Sequence, residues 1–146
     1  MDLYTDEFFM KEALKEAQKA LAKDEIPIGA IIVSKNQIIA RGHNLTETLN
    51  DVTAHAEMQA ITSAANAIGG KYLTDCALYV TLEPCLMCAG ALYWSQISKI
   101  VYGASDKKRG FTTTNSTVLH PKTEILKGIM EDECSNILVV FFKKKR

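Results

Sequence analysis

Four short apolar runs limit what this chain can fold into. They are GAIIV (Gly29 to Val33), IIA (Ile38 to Ala40), ALYVTL (Ala77 to Leu82) and KIVYGA (Lys99 to Ala104). Continuous short runs of this kind, rich in β-branched residues, read as strands. The first two flank the turn SKNQ and form a hairpin. Helical spacing fills the intervals. Met10, Leu14, Ala17 and Leu21 recur at four, three and four, the apolar stripe of a first helix, and Pro27 closes helical possibilities after it. A polar loop follows the hairpin, from Arg41 to Val52. A second helix is expected over Ala54 to Ile68, with Thr53 as N-cap, a buried stripe of Met58, Ile61, Ala65 and Ile68, and Gly69–Gly70 as its stop. Pro84 suits the first turn of a third helix through CLMCAGALYW. Residues 105–120 read as loop. TEILKGI (Thr123 to Ile129) is ambiguous, though a fifth strand fits its alternation, and a last helix starts near Asp132. Strands alternating with helices, apolar on both faces, imply an α/β sheet covered on both sides.

The 146 residues fit one domain, 1–146, with no linker or internal repeat. A chain of this length buries about 68–70% of its unfolded surface and needs no disulfides. Seventeen basic residues balance seventeen acidic ones. That balance excludes a strong global field for nucleic acid and leaves local patches at Lys107–Arg109 and in the terminal KKKR. On their own, such runs read as solvated surface. The first residues mix acids and lysines without an apolar core, so no secretory signal is expected, and no segment has membrane-spanning length. The expected location is the cytoplasm. Its redox state makes the four cysteines thiols or metal ligands in preference to disulfides.

Two helix starts carry the chemistry. In TAHAEMQAI, Glu57 falls on the buried stripe, where a carboxylate is costly unless paired, hydrogen-bonded or used. His55 lies well round the helix from it. Their i, i+2 spacing is wrong for two ligands gripping one ion from mid-helix. At a helix end, one can hold a metal while the other works beside it. Alone, HAE reads as a hydrogen-bonded histidine beside a capping glutamate. EPCLMC then places Cys85 and Cys88 at i, i+3 on one face of a helix start. Such a pair serves redox exchange or metal binding, or is simply two core thiols. His55, Cys85 and Cys88 together form a set suited to Zn²⁺, with both helix N-termini favouring thiolates. Cys76 and Cys134 read as buried thiols, and His43 and His120 as ordinary loop residues. An open fourth position marks a catalytic site, with Glu57 the base available to it.

HAE followed by PCLMC is the H-x-E…P-C-x-x-C signature of the zinc nucleoside and nucleobase deaminases. DEIPIGAIIV, NDVTAHAEMQAI, LYVTLEPCLMCAGAL, IVYGASD and DECSNILVVFF extend the likeness. In that order they cover most of the chain, which resembles the bacterial tRNA-specific adenosine deaminases of the cytidine/deoxycytidylate deaminase superfamily. The resemblance implies a three-layer α/β/α cytidine-deaminase-like fold with a five-stranded mixed sheet. It implies one zinc ion per chain held by His55, Cys85 and Cys88, with Glu57 catalytic, and a homodimer. It further implies hydrolytic deamination of the wobble adenosine of a tRNA anticodon loop to inosine. By the same resemblance Asn44 contacts the nucleotide, Ile26 lines the base pocket and Asp106 lies near the flanking RNA. Read locally, Asn44 is equally a turn former, Ile26 a core residue and Asp106 a loop acid.

Two departures keep the substrate open. Tyr93–Trp94 is similar to guanine deaminases or is plain core or dimer packing, and the loop KKRGFTTTNSTVLH differs from the commonest family pattern. A free-base deaminase acting on guanine or cytosine is therefore the rival reading. A non-catalytic zinc module that binds RNA or protein is the second.

Overall fold

The hairpin and two helical crossovers build one sheet. The structure, a computed structural model, describes residues 3–114 and 117–146. Positions 115 and 116 of the expected 105–120 loop lie outside the described residues. Strands β1 (Gly29–Ser34) and β2 (Gln37–His43) pair antiparallel, with a register shift between Ile32 and Val33. β3 (Cys76–Leu82) pairs antiparallel with β1. β4 (Lys99–Ala104) and β5 (Glu124–Lys127) then add in parallel. The order is β2-β1-β3-β4-β5, a five-stranded mixed sheet.

Alternation along the central strands divides the core in two. Ala30, Ile32, Leu78, Val80, Ile100 and Tyr102 face one layer, formed by α2 (Ala56–Ile68) and α3 (Leu86–Ser95). Ile31, Val33, Tyr79 and Val101 face the other, formed by α1 (Asp6–Ala22) and α4 (Glu131–Lys145). This is the expected three-layer α/β/α arrangement. Burying each Ile, Leu or Val contributes about 1.5–3 kcal/mol, and these strands are buried on both faces. β5, at the edge, is mostly exposed.

Local chemistry sets the helix ends. The Thr5 hydroxyl accepts from the Phe8 N–H at 3.1 Å and caps α1, with Asp6 and Glu7 in its first turn. α4 has three acids in its first turn and three lysines in its last. Gly69 stops α2 in a left-handed conformation, as the sequence implies. Among the described residues no helix is long and apolar enough to cross a membrane.

Several expectations need correction. The N-cap of α2 is His55, not Thr53. Thr53 instead donates its N–H and hydroxyl to Asp51 Oδ1 in the preceding turn. The buried face of α2 is Ala56, Glu57, Ala60 and Ala64. Met58, Ile61 and Ala65 are half-buried and Ile68 is exposed. The cause is close packing: a Cβ on Gly42 of β2 would meet the backbone of Ala56 and Ala60, so only small residues fit the contact face. In α1, Met10 and Ala17 are buried as expected, but Phe9, Ala13, Glu16 and Ala20 complete the stripe and Leu14 and Leu21 are half-buried. Pro84 precedes the N-cap Cys85 and does not occupy the first turn of α3. β2 runs on to His43, which is a strand residue beside Glu16, 3.3 Å from its Nδ1. Residues 111–113 form a short 3₁₀ turn inside the expected loop. Tyr93 and Trp94 are 39% and 76% exposed, which rules out core packing for the pair.

Candidate active site

The starts of α2 and α3 meet beyond the C-terminal end of the central strand, β3. β3 ends at Leu82, and three residues later Cys85 takes the N-cap of α3. Cys88 follows one turn on, so the i, i+3 spacing puts both sulfurs on one side. Gly42 seats α2 hard against β2 and brings its N-cap, His55, opposite them. His55 Nδ1 lies 3.6 Å from Cys85 Sγ and 3.5 Å from Cys88 Sγ. The three ligand atoms all lie within 4.8 Å of one another. Tetrahedral zinc with ordinary Zn–S and Zn–N lengths would set a sulfur and a nitrogen about 3.5 Å apart. Donor types and separations therefore both fit Zn²⁺. Cys76 takes no part: it opens β3 at the opposite end, beside a second cavity of about 430 Å³. Cys134 is a buried thiol of α4, packed against Gly103.

The charges suit a cation. Hydrogen bonding from the Cys88 thiol, and then from His55, holds Cys85 far below the ordinary thiol range despite burial. The same contact raises Cys88. The Cys85 hydrogen bond likewise raises His55, favouring a proton at the place where a metal would compete with it.

Glu57 stands next to this cluster and is 3% exposed. Burial pushes its carboxyl up to about 7, against weaker lowering by its own backbone N–H, His55 and Cys88. A carboxyl with that value exchanges protons readily near neutrality.

A cavity of about 800 Å³ opens over these residues. Its lining brings together His55, Glu57 and Cys85 with Ile26, Asn44 and Asp106, three residues singled out from the sequence. Asn44 is buried in the wall, whereas Ile26 is exposed at the mouth. Asp106 is half-buried, and its Oδ1 accepts the N–H groups of Lys108 and Arg109 at 3.0 Å each. Those two residues and Lys107 form a basic flank of the mouth. His120 lies elsewhere, 6.0 Å from the Tyr93 ring.

Sequence reasoning missed part of the wall. Leu138 and Phe142 of α4 line the cavity. It also missed two buried carboxylates: Glu83, which lines the cavity, and Glu25. Glu25 accepts the Glu47 N–H, the Thr48 N–H and the Thr48 hydroxyl. An acid directly before an apolar Ile-Pro or Pro-Cys step was the available signal.

Known proteins bear on this geometry. The model of the cytidine and deoxycytidylate deaminase zinc-binding region matches residues 3–104. The chain belongs to that zinc-dependent deaminase family. Within it, the likeness is to tRNA-specific adenosine deaminases. The enzyme of that name from Bacillus subtilis is 47% identical over 97% of this chain and 91% of its own length. The one from Aquifex aeolicus is 46% identical over 96% and 95%. A structure solved in a study of A-to-I editing by tRNA:A34 deaminases at the wobble position superposes with a TM-score of 0.84. It is 43% identical and covers 89% of this chain and 98% of that one. The guanine deaminase of Bacillus subtilis superposes with a TM-score of 0.66 at 43% identity, covering 69% and 65%.

Proposed function

We propose that this chain deaminates the wobble adenosine of a tRNA anticodon loop to inosine, consuming water and releasing ammonia. The observation that carries the reading is the buried Glu57 beside the His55–Cys85–Cys88 cluster, at the floor of a cavity with a basic flank. His55, Cys85 and Cys88 would hold one zinc ion. Bound there, zinc supplies Lewis-acid activation of water. Glu57 accepts a proton from the attacking water as oxygen bonds to C6 of the base. It delivers that proton to N1, then takes the proton of the new C6 hydroxyl and passes it to the amine, which leaves as ammonia as C6 becomes a carbonyl. Burial raises the pKa of that carboxyl, which favours its taking the proton.

Asn44 contacts the nucleotide, Ile26 borders the base and Asp106 lies near the flanking RNA; their common position on the cavity supports these roles. An anticodon loop presents bases already unstacked, so turning one into the cavity costs little. Lys107, Lys108 and Arg109, with the terminal lysines and arginine, meet the phosphates. The chain works as one domain over 1–146, as a homodimer in the cytoplasm.

Free guanine is the second reading, supported by the likeness to the Bacillus subtilis guanine deaminase. One assay separates the two. Zinc-loaded protein is incubated with an anticodon stem-loop, guanine or cytidine, and inosine and ammonia are measured. Inosine in the stem-loop is the expected product. Ammonia from guanine with intact RNA would overturn the adenosine reading.

A further inference from the structure

Glu83 follows the last residue of β3, just before Pro84 and Cys85, and is 3% exposed. Among the described residues no basic side chain pairs with it. Its partners are donors from one loop. Oε1 accepts the Asp106 N–H at 3.0 Å. Oε2 accepts the Thr112 N–H at 2.9 Å and the Thr112 hydroxyl at 2.7 Å. The carboxylate thus grips both ends of the segment 106–112, which carries the basic flank between its holds.

Three further features belong to the same construction. The Phe111 N–H donates to Pro84 O at 2.9 Å, and Cys85 pairs with Gly110 in an isolated antiparallel bridge. Gly110 must lack a side chain, because a Cβ there would collide with the Glu83 carboxylate. Asp106, fixed through its backbone by Glu83, uses its side chain to hold the N–H groups of Lys108 and Arg109. Glu83 sets Asp106, and Asp106 sets the basic turn.

We propose that Glu83 is a positioning residue: it locks the loop 106–112 to the metal-site segment and so presents Lys107, Lys108 and Arg109 to the RNA backbone at the cavity mouth. The phosphate part of this inference rests on the adenosine-in-RNA reading. Glu83 is not among the grouped ligand residues; it acts through the loop. A carboxyl side chain suits the task because its two oxygens can accept from both ends of the loop at once. Burial between the strand end and the loop lets one group serve two distant backbone positions.

The test compares zinc-loaded wild type, Glu83→Gln and Thr112→Val. The glutamine keeps the shape but turns an NH₂ towards N–H donors. The valine removes one of the three hydrogen bonds and leaves the carboxylate. Zinc content, amide hydrogen exchange and steady-state kinetics on an anticodon stem-loop are measured, the last over a range of salt. For Glu83→Gln, zinc stays at the wild-type level. Exchange quickens at 106–112 and not in α3. KM for the stem-loop rises about tenfold while kcat stays within about twofold, and the salt dependence of binding flattens as phosphate contacts are lost. Thr112→Val moves the same readouts in the same direction by less, and it carries the test alone if the glutamine variant does not fold. Unchanged exchange at 106–112, a fall in kcat at constant KM, or loss of zinc from Thr112→Val would each overturn the proposal. If wild type does not deaminate the stem-loop, the substrate reading fails with the phosphate role, while hydrogen exchange still decides whether Glu83 holds the loop.

Discussion

Replacing Glu57 by glutamine tests the centre of the chemistry. The side chain is buried on the contact face of α2, and glutamine has nearly its volume, so packing against β2 is preserved. Among the described residues Glu57 makes no salt bridge, so no cation is left unpaired by the change. The amide cannot take a proton from water or pass one to the base. Positioned acid–base groups contribute about 10²–10⁴-fold, or roughly 2.7–5.4 kcal/mol of barrier. Glu57→Gln should therefore lose two to four orders of magnitude, roughly, in kcat on the stem-loop. KM should stay close to wild type, since the ground-state contacts lie with other residues. Zinc content should be unchanged, because His55, Cys85 and Cys88 supply the ligand atoms. Single-turnover inosine formation, metal analysis and thermal unfolding on the same preparation read all three. Near-normal turnover with full zinc would refute the role. Loss of zinc would show that the carboxylate belongs to the metal site and not beside it.

Other expectations follow from the same structure. Cys88→Ala should drop zinc far below one equivalent per chain and abolish activity, since two ligands no longer close the cluster; metal analysis after dialysis decides, and full retention would remove Cys88 from the set. Gly42→Ala should destabilise by about 1–3 kcal/mol, lowering Tm by roughly 2–10 °C, because the new methyl group meets α2 backbone that cannot step aside. An unchanged Tm would mean that α2 is not pressed on β2 there. Glu25→Gln should cost about 1–3 kcal/mol at pH 7 through its donors from Glu47 and Thr48. Burial raises the Glu25 pKa, but those hydrogen bonds outweigh it and leave it below the ordinary value. Its stabilisation is thus complete above the unfolded value of about 4.3 and is lost as pH falls through the folded one. The stability gap between the two proteins should close on acidification below that value; a gap constant down to pH 3 would contradict the assignment.

Much of this fold could be read from short apolar runs. Lys99–Ala104 is the observed β4, and Ala77–Leu82 misses only Cys76 of β3. The helix expected between them is α3, and the two strands it joins pair in parallel. Helix faces were harder. Counting large apolar residues favours Met58 and Ile61 in α2, yet the buried face is alanine, because Gly42 draws the helix too close for larger side chains. The cap of α2 was misplaced for a related reason. Asp51 captures Thr53, and the N-cap falls two residues later, at His55. The metal cluster was visible because two local spacings, H-x-E and C-x-x-C, each sit at a helix start. Glu25 and Glu83 were not visible. Their partners lie more than twenty positions away and are mostly backbone N–H groups, which leave no trace in residue type.

Glu25 and Glu57 show how the surroundings divide one residue type between two kinds of work. They are 1% and 3% exposed, so burial penalises ionisation in both. Glu25 faces a loop that returns two N–H groups and a hydroxyl, and its pKa is lowered. Such a carboxylate is held charged and has no reason to exchange its proton; it is a fastener. Glu57 sits at a helix start among alanines, with its own N–H and the Cys88 thiol as compensation, and its pKa rises to about 7. Its pKa is raised where that of Glu25 is lowered, and it is the one that opens onto the cavity. Burial alone would mark both as costly. The number of donors aimed at each distinguishes the carboxyl that holds a loop from the carboxyl proposed to move a proton.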